Sequence, residues 1–288
     1  MNADKKINAS TEVYGLFGYP VAHSLSPLIH NALFQKLGMN AVYLAFPVEP
    51  KNLGLAFEAI RSLHLKGVNL TIPFKEEALD FVDEIPEDLD RCVGAINTVV
   101  NKNGRLFGYN TDEHGFLLAL GEELKFNPAG KTILVLGAGG AARGVTFALG
   151  RANAARILLY NRTHERAEGL SEHLSDYFPE TDIQALSSPD AVRQEKVDLV
   201  VNTTSCGMKA EDPLPMNLEL LSGKAGIYDL IYSPTETKIL GFARRLGLPC
   251  ANGLGMLAAQ AAYSFELWTG RKDGVREGML EILKKCHL

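Results

Sequence analysis

The run Gly137-Ala138-Gly139-Gly140-Ala141-Ala142 constrains the fold of this chain more than any other stretch. It is entered from the apolar segment KTILVLG and left through ARGVTFALG, so a strand turns into a helix across a G-x-G-x-x-A spacing. In that context the run marks a dinucleotide-binding β-α-β unit, and each small residue has a physical task. Gly137 permits the tight turn, Gly139 lets the backbone approach a pyrophosphate, and Ala142 lets the helix pack close, while helix amides and dipole face the anion. A small-residue turn in another α/β sheet would use the same residue types. The strand before and the helix after favour the dinucleotide.

The next strand-like run, RILLYNR, ends ~20 residues past the glycines, where an NAD-specific unit would set an acidic residue on the ribose hydroxyl. The chain instead reads Asn161-Arg162-Thr163-His164-Glu165-Arg166. Arg162 offers a planar guanidinium for bidentate contact with a phosphate, Arg166 follows one helical turn later, and Thr163 as N-cap leaves first-turn amides facing an anion. A capped helix with solvated arginines is the competing account. The position relative to the glycines favours a 2′-phosphate, and hence NADP as cofactor.

Alternation of apolar runs with helical patterns extends over the rest of the chain. From about Lys131 the strands are KTILVLG, RILLYNR, VDLVVNTTS, GIYDLIY and LPCAN. The first third shows VYGLFG, SPLIHNALFQKLG, AVYLAFPV, NLGLAFEAIRSLHL, GVNLTIPF and KEEALDFVDEI. This predicts the α/β class, with two largely parallel sheets. AINTVVN and RLFGYN flank Asn103-Gly104, which predicts a tight hairpin turn. Asp112 to Phe126 reads as a connecting helix. After Gly255 come MLAAQAAYSFELW and VREGMLEILKKC, helical patterns with no strand left to join, and the first is apolar enough on several sides to be buried against the first domain. At 288 residues the chain suits two cores. The predicted domains are a substrate-binding one, residues 1–111 with 255–288, and a Rossmann-like NADP-binding one, residues 112–254.

Bulk properties remove several classes of function. A net charge of -5 without a basic run argues against a nucleic-acid partner. Cys92, Cys206, Cys250 and Cys286 show no CxxC spacing, so reduced thiols are expected and no metal is called for. The charged start MNADKKINAS has no apolar stretch behind it, and no run approaches bilayer length, which predicts a cytoplasmic protein with no membrane partner.

Chemistry outside the glycine turn is less direct. In His23-Ser24-Leu25-Ser26-Pro27, Ser26 reads as a helix N-cap with Pro27 at the first helical position; Ser24 is then left over, and paired hydroxyls at a helix start also suit a carboxylate. Lys75 follows Thr71-Ile72-Pro73-Phe74 and opens a helical pattern, where the macrodipole disfavours a cation; it is either an exposed side chain or an amine tuned for proton transfer. Asp112 is either the N-cap of the connecting helix or a functional carboxylate. Gln260 stands among alanines as a packing residue or a ligand contact, and Cys206 reads as a small core side chain rather than a nucleophile.

These hints converge in a resemblance. The chain resembles the shikimate dehydrogenase family in ordered blocks: Ser24-Leu25-Ser26-Pro27, Asn69-Leu70-Thr71-Ile72-Pro73-Phe74-Lys75, Gly94-Ala95-Ile96-Asn97-Thr98, Tyr109-Asn110-Thr111-Asp112, the glycine turn, Asn161-Arg162-Thr163, and Gly253-Leu254-Gly255-Met256-Leu257-Ala258-Ala259-Gln260. The resemblance implies NADPH-dependent reduction of 3-dehydroshikimate to shikimate, a step of aromatic amino acid biosynthesis, in a cleft between two domains. It implies that Ser24 and Ser26 hold the substrate carboxylate, that Thr71, Asn97 and Gln260 contact ring hydroxyls, and that Tyr232 lies beside substrate and nicotinamide. Lys75 and Asp112 are the implied catalytic pair. Gly137, Ala138, Gly139, Gly140, Ala141, Asn161, Arg162, Thr163, Arg166, Ile231 and Gly253 are the implied cofactor residues. The expected partner is the small-molecule substrate, with a homodimer the one assembly left open. An NAD-preferring enzyme that accepts quinate is disfavoured by Arg162-Thr163, and a non-catalytic ligand-binding regulator by the retention of Lys75 and Asp112.

Overall fold

The computed structural model describes residues 7–86 and 92–285. They divide into two units, one of the described residues up to Thr111 together with those from Gln260 onward, the other Asp112–Ala259.

The first unit is built on a five-stranded sheet of β1 (Glu12–Gly18), β2 (Ala41–Pro47), β3 (Gly67–Leu70), β4 (Thr98–Lys102) and β5 (Arg105–Tyr109), in the order β2-β1-β3-β4-β5. β1 pairs in parallel with both β2 and β3, whereas β4 is antiparallel to β3 and β5. The expected hairpin turn is present: Asn103 and Gly104 have φ of 56° and 90°, and Lys102 lies opposite Arg105. Positive φ at both central residues matches the turn's twist to that of the strands. Period-two alternation sends β1 side chains to both faces. Phe17 joins Val68, Leu70, Val99 and Leu106 against Phe57 and Ile60 of α2 (Leu53–Ser62). On the other face Tyr14 meets Phe34 of α1 (Ser26–Lys36) and Trp268. Trp268 donates its indole N–H to the Val99 carbonyl at 3.0 Å, in the space that a side chain on Gly67 would fill.

One expected helix is absent as such. KEEALDFVDEI yields only a 3-10 turn at Glu77–Phe81, so Lys75 lies in the turns before it and no α-helical macrodipole acts on its ammonium. The pattern misled because Phe74 and Ala78 are buried in the α2-side core at helical spacing without a continuous helix between strands.

The second unit carries β6 (Thr132–Leu136), β7 (Arg156–Tyr160), β8 (Asp182–Leu186), β9 (Leu199–Asn202), β10 (Gly226–Asp229) and β11 (Cys250–Ala251), all parallel, in the order β11-β10-β9-β6-β7-β8. This is the doubly wound order, whose direction reverses between β6 and β9. The helices are α3 (Asp112–Glu123), α4 (Gly140–Arg151), α5 (His164–Ser175) and α6 (Lys238–Arg245). β8, DIQAL, has no counterpart among the expected strands: it is a half-exposed edge strand and lacks the apolar run of the central ones. Two helices complete the chain, α7 (Leu254–Thr269) and α8 (Val275–Lys285), and the division between the units falls within α7. α8 packs on α1, where a Cβ on Gly278 would touch Leu33, and Lys36 pairs with Glu281 at 2.8 Å. Both partners of that pair are half exposed, so packing holds the contact more than charge.

Candidate functional site

In the second unit the glycine turn stands at the point where strand order reverses. Gly137 has φ +115° and donates its N–H to the Tyr160 carbonyl at 2.7 Å. A Cβ there would run into Thr203 Oγ1, which is itself bonded to the Leu136 carbonyl at 2.7 Å, so only glycine lets the loops after β6 and β9 sit together. Gly139 is different. It occupies the N-cap of α4 in extended conformation, and a Cβ on it would meet nothing within 4 Å. Protein packing does not demand glycine at this position, which fits close approach by a ligand. Gly140 opens α4 with Ala141 beside it, Ala138 lies buried in the turn, and Ala142 is fully buried beneath the helix.

At the end of β7, Asn161 Nδ2 donates to the Thr163 carbonyl at 2.8 Å and shapes the turn. Arg162 and Thr163 are exposed, and Arg162 forms no ion pair among the described residues. Thr163 stands at the N-cap of α5 as expected, but its side chain makes no cap hydrogen bond. Arg166 lies one turn into α5, exposed on the same helix. These groups fit a phosphate approached from solvent: a guanidinium, a hydroxyl and a helix N-terminus.

Beyond β10, Gly253 donates its N–H to the Ile231 carbonyl at 3.1 Å, and a side chain on it would collide with the Leu230 carbonyl. The segment through Ile231 and half-buried Tyr232 is braced by Asp229. That carboxylate is fully buried and accepts from Asn202 Nδ2 at 2.9 Å, the Ile231 N–H at 3.1 Å and Thr237 Oγ1. Burial outweighs these bonds and pushes its pKa up to about 6. Nothing in the sequence reading singled out Asp229; its one signal was an acid at the end of an apolar strand. Cys206 is half-buried, not a core residue as expected, and its thiol donates to the Pro213 carbonyl at 3.0 Å. Cys92 and Cys250 form no disulfide, and Cys286 lies outside the described residues.

In the first unit the loops after β1 and β3 run side by side, because parallel neighbours end at the same sheet edge. The Tyr19 N–H donates to the Ile72 carbonyl and the Thr71 N–H to the Phe17 carbonyl, both at 2.9 Å, with the Thr71 methyl against Gly18. The serine turn departs from its expected form. The position before α1 is Leu25, without a side-chain cap, and Ser26 is the first helical residue with Pro27 next. Ser24 is the hydroxyl that accepts locally, from the Ser26 N–H at 3.2 Å. Ser26 Oγ, on a buried residue, makes no hydrogen bond among the described residues.

Lys75 is half-buried next to the anchor Phe74, and its carbonyl accepts from the Ile96 N–H at 2.8 Å, which ties it to the segment entering Asn97. Asn97 bridges two strands by backbone, accepting from the Leu70 N–H at 2.8 Å and donating to the Tyr109 carbonyl at 3.0 Å. Its side-chain Oδ1 accepts from the Thr111 N–H at 2.8 Å and its Nδ2 donates to Thr111 Oγ1 at 3.0 Å. Thr111 Oγ1 in turn donates to Gln260 Oε1 at 3.4 Å. Asp112 follows in the chain as the first residue of α3, a buried carboxylate in the first turn, where the helix dipole favours an anion. It is a helical residue, not the N-cap.

Behind Asn97 lies a buried polar group that the sequence reading missed: Tyr43, Asn69, Thr98 and Ser264. Polar residues in otherwise apolar segments were the only signal. Beside it, His30 is fully buried, stacked on Tyr43 at 4.4 Å and 7°, with both ring nitrogens lacking hydrogen-bond partners. Burial pushes its pKa down to about 3, so it is a neutral packing ring. Among the described residues no cluster of His, Cys, Asp and Glu could hold a metal, and no helix is long and apolar enough to cross a membrane.

Comparison with known proteins gives three family matches: the shikimate dehydrogenase substrate binding domain over residues 16–99, shikimate / quinate 5-dehydrogenase over 120–208, and the shikimate 5'-dehydrogenase C-terminal domain over 253–284. A shikimate dehydrogenase (NADP(+)) from Caldanaerobacter subterraneus subsp. tengcongensis is 44% identical over 276 residues, covering 94% of this chain and 98% of its own. The crystal structure of a shikimate dehydrogenase in complex with NADP+ superposes with a TM-score of 0.89 at 37% identity, covering 98% of both chains. Shikimate 5-dehydrogenase from Thermus thermophilus, in complex with NADP(H) and shikimate, matches with a TM-score of 0.83 at 37% identity, covering 96% of this chain and 99% of its own.

Proposed function

This chain belongs to the shikimate dehydrogenase family, and from that premise we propose that it catalyses the reversible, NADPH-dependent reduction of 3-dehydroshikimate to shikimate. The observation that carries the proposal is relationship over 94% of the chain to an NADP-dependent shikimate dehydrogenase, since it spans both units at once. The exposed Arg162 and Thr163 at the end of β7, and the open Gly139 after the neighbouring β6, support the choice of nucleotide.

In this proposal residues 1–111 with 255–288 bind the substrate and residues 112–254 the nucleotide. NADPH, when bound, supplies the hydride. The chain's own residues do the rest. Ser24 and Ser26 hold the substrate carboxylate by their hydroxyls, with Tyr232 beside it, and Thr71, Asn97 and Gln260 hold the ring oxygens. Lys75 gives a proton to the carbonyl oxygen as negative charge grows there, and takes it back in the reverse direction. Asp112 orients the ammonium as a carboxylate, and the amine regains its proton from solvent water after turnover. On the nucleotide side, Gly137 to Ala141 leave room for the pyrophosphate, Asn161, Arg162, Thr163 and Arg166 hold the 2′-phosphate, and Ile231 and Gly253 lie along the nicotinamide. A cytoplasmic setting is part of the same proposal.

One assay tests it. Purified protein is incubated with shikimate or quinate, each with NADP or NAD, and nicotinamide reduction is followed by absorbance. Fast turnover with shikimate and NADP alone is the expected result. Preference for quinate with NAD, or no turnover in any of the four mixtures, would refute it.

A further inference from the structure

Resting on that reading, we propose that Ser264 is a positioning residue whose hydroxyl ties the segment bearing Asn97 to the turn of α7 bearing Gln260. Ser264 lies on α7 one turn beyond Gln260, fully buried. Four polar groups of the first unit converge on its Oγ: Asn69 Nδ2 at 3.0 Å, Thr98 Oγ1 at 2.7 Å, Thr111 Oγ1 at 3.3 Å and the Gln260 carbonyl at 3.1 Å. A lone serine in an apolar helix needs one partner to offset its burial. Four partners make it a junction.

Backbone groups set the amides that meet at the junction. The Asn97 carbonyl, an acceptor only, lies 3.2 Å from Asn69 Nδ2, which sets the Asn69 amide with its oxygen toward the Tyr43 hydroxyl at 2.8 Å. The Thr111 N–H, a donor only, sets Asn97 Oδ1 toward itself at 2.8 Å, with Asn97 Nδ2 toward Thr111 Oγ1 at 3.0 Å. At Ser264 Oγ the Gln260 carbonyl can only accept and Asn69 Nδ2 can only donate, while Thr98 and Thr111 are hydroxyls that do either. Thr98 Oγ1 also donates to Asn97 Oδ1 at 3.0 Å, and Thr111 Oγ1 lies 3.1 Å from Asn97 Oδ1 and 3.4 Å from Gln260 Oε1. Ser264 therefore joins the groups that hold Asn97 to the turn of α7 that carries Gln260. Removing its hydroxyl takes a partner from Asn69, Thr98 and Thr111 at once and loosens the placement of both amides.

Ser264→Ala and Thr98→Val each remove one side of the 2.7 Å hydroxyl contact at the junction, and neither residue is assigned a substrate contact. Each single variant, and the double variant, is taken through steady-state kinetics with both substrates, thermal melting, and calorimetric titration of shikimate without nucleotide. Each single change is expected to lower kcat/KM for shikimate about tenfold and weaken shikimate binding similarly, with KM for NADP within about twofold of wild type. The double variant is expected to lose about tenfold rather than a hundredfold, since both changes break one shared contact. Shikimate kinetics within twofold of wild type in the single variants, a matching rise in both KM values, or a multiplicative double variant would overturn the role. Should Ser264→Ala not fold, Thr98→Val alone carries the same expectation. Failure of wild-type protein to turn over shikimate would instead refute the functional reading, and this inference with it.

Discussion

Replacing Asp229 by Asn should remove a pH dependence of stability that the native chain carries. The carboxyl is fully buried, and burial raises its pKa from the ordinary 3.8 to about 6 against the pull of its three donors. A group whose folded pKa exceeds its unfolded one contributes stability that is complete below the unfolded value and is lost as pH rises through the folded value. For Asp229 that loss runs from about pH 4 to a little above 6. It corresponds to ~3 kcal/mol in full, of which ~2 kcal/mol falls between about pH 4.5 and 7.5. Asn keeps the geometry: its oxygen can still accept from Asn202 Nδ2 and the Ile231 N–H, which share Oδ1, while its NH2 takes the place of Oδ2 and donates to Thr237 Oγ1. Other groups titrate alike in both proteins, so the difference between their melting temperatures isolates this site. Thermal melts followed by circular dichroism should show Tm of Asp229→Asn rising relative to wild type by about 5 °C from acid to neutral pH. A constant offset, or one that falls as pH rises, would show that the buried charge is not disfavoured and would refute the reasoning.

Three further changes test the site. Lys75→Ala should lower kcat by ~10²- to 10⁴-fold with a smaller change in KM, as expected for loss of a general acid, and a near-normal kcat would remove the residue from catalysis. Arg162→Ala should reduce kcat/KM with NADPH by ~10- to 100-fold, the value of charge-assisted hydrogen bonds to a phosphate, and leave NADH nearly unchanged; equal losses with both would contradict the clamp. Gly137→Ala forces a φ of +115° on a residue with a Cβ and drives that atom into Thr203. It should cost ~2–4 kcal/mol of stability and weaken NADP binding more than tenfold, measured by melting and by fluorescence titration; a wild-type melting curve would show that the turn tolerates a side chain.

The parts of this molecule that could be read in advance are those that local physics decides. The glycine turn, the hairpin at Asn103-Gly104 and the central strands each carry their instruction within a few residues: a φ only glycine accepts, a turn type, an unbroken apolar run. The half-exposed strand Asp182–Leu186 was not legible because its conformation comes from pairing with β7 rather than from its own pattern. The helix expected after Lys75 failed for the converse reason. A pattern with helical spacing was produced by two residues filling one core, and the chain between satisfied its backbone by tighter turns.

The two halves of the candidate site differ in the same way. The glycine turn and the Asn161–Arg166 stretch are short and continuous, so spacing alone exposed them, whereas Ile231 and Gly253 came only through the resemblance. The residues proposed to hold substrate come from five separate segments, and several have a local explanation that suffices in isolation, a cap or a packed amide. Ser24 and Ser26 show how such an explanation errs: a hydroxyl before a proline was read as the cap, whereas the structure gives the local bond to the earlier serine. What separates a packing amide from a directed one is the identity of its neighbours across the fold, and for Gln260 those are Thr111 and the carbonyl contact of Ser264. The placement of that amide is therefore decided by residues with no assigned ligand contact, and a serine on an apolar helix becomes informative once its four partners are named.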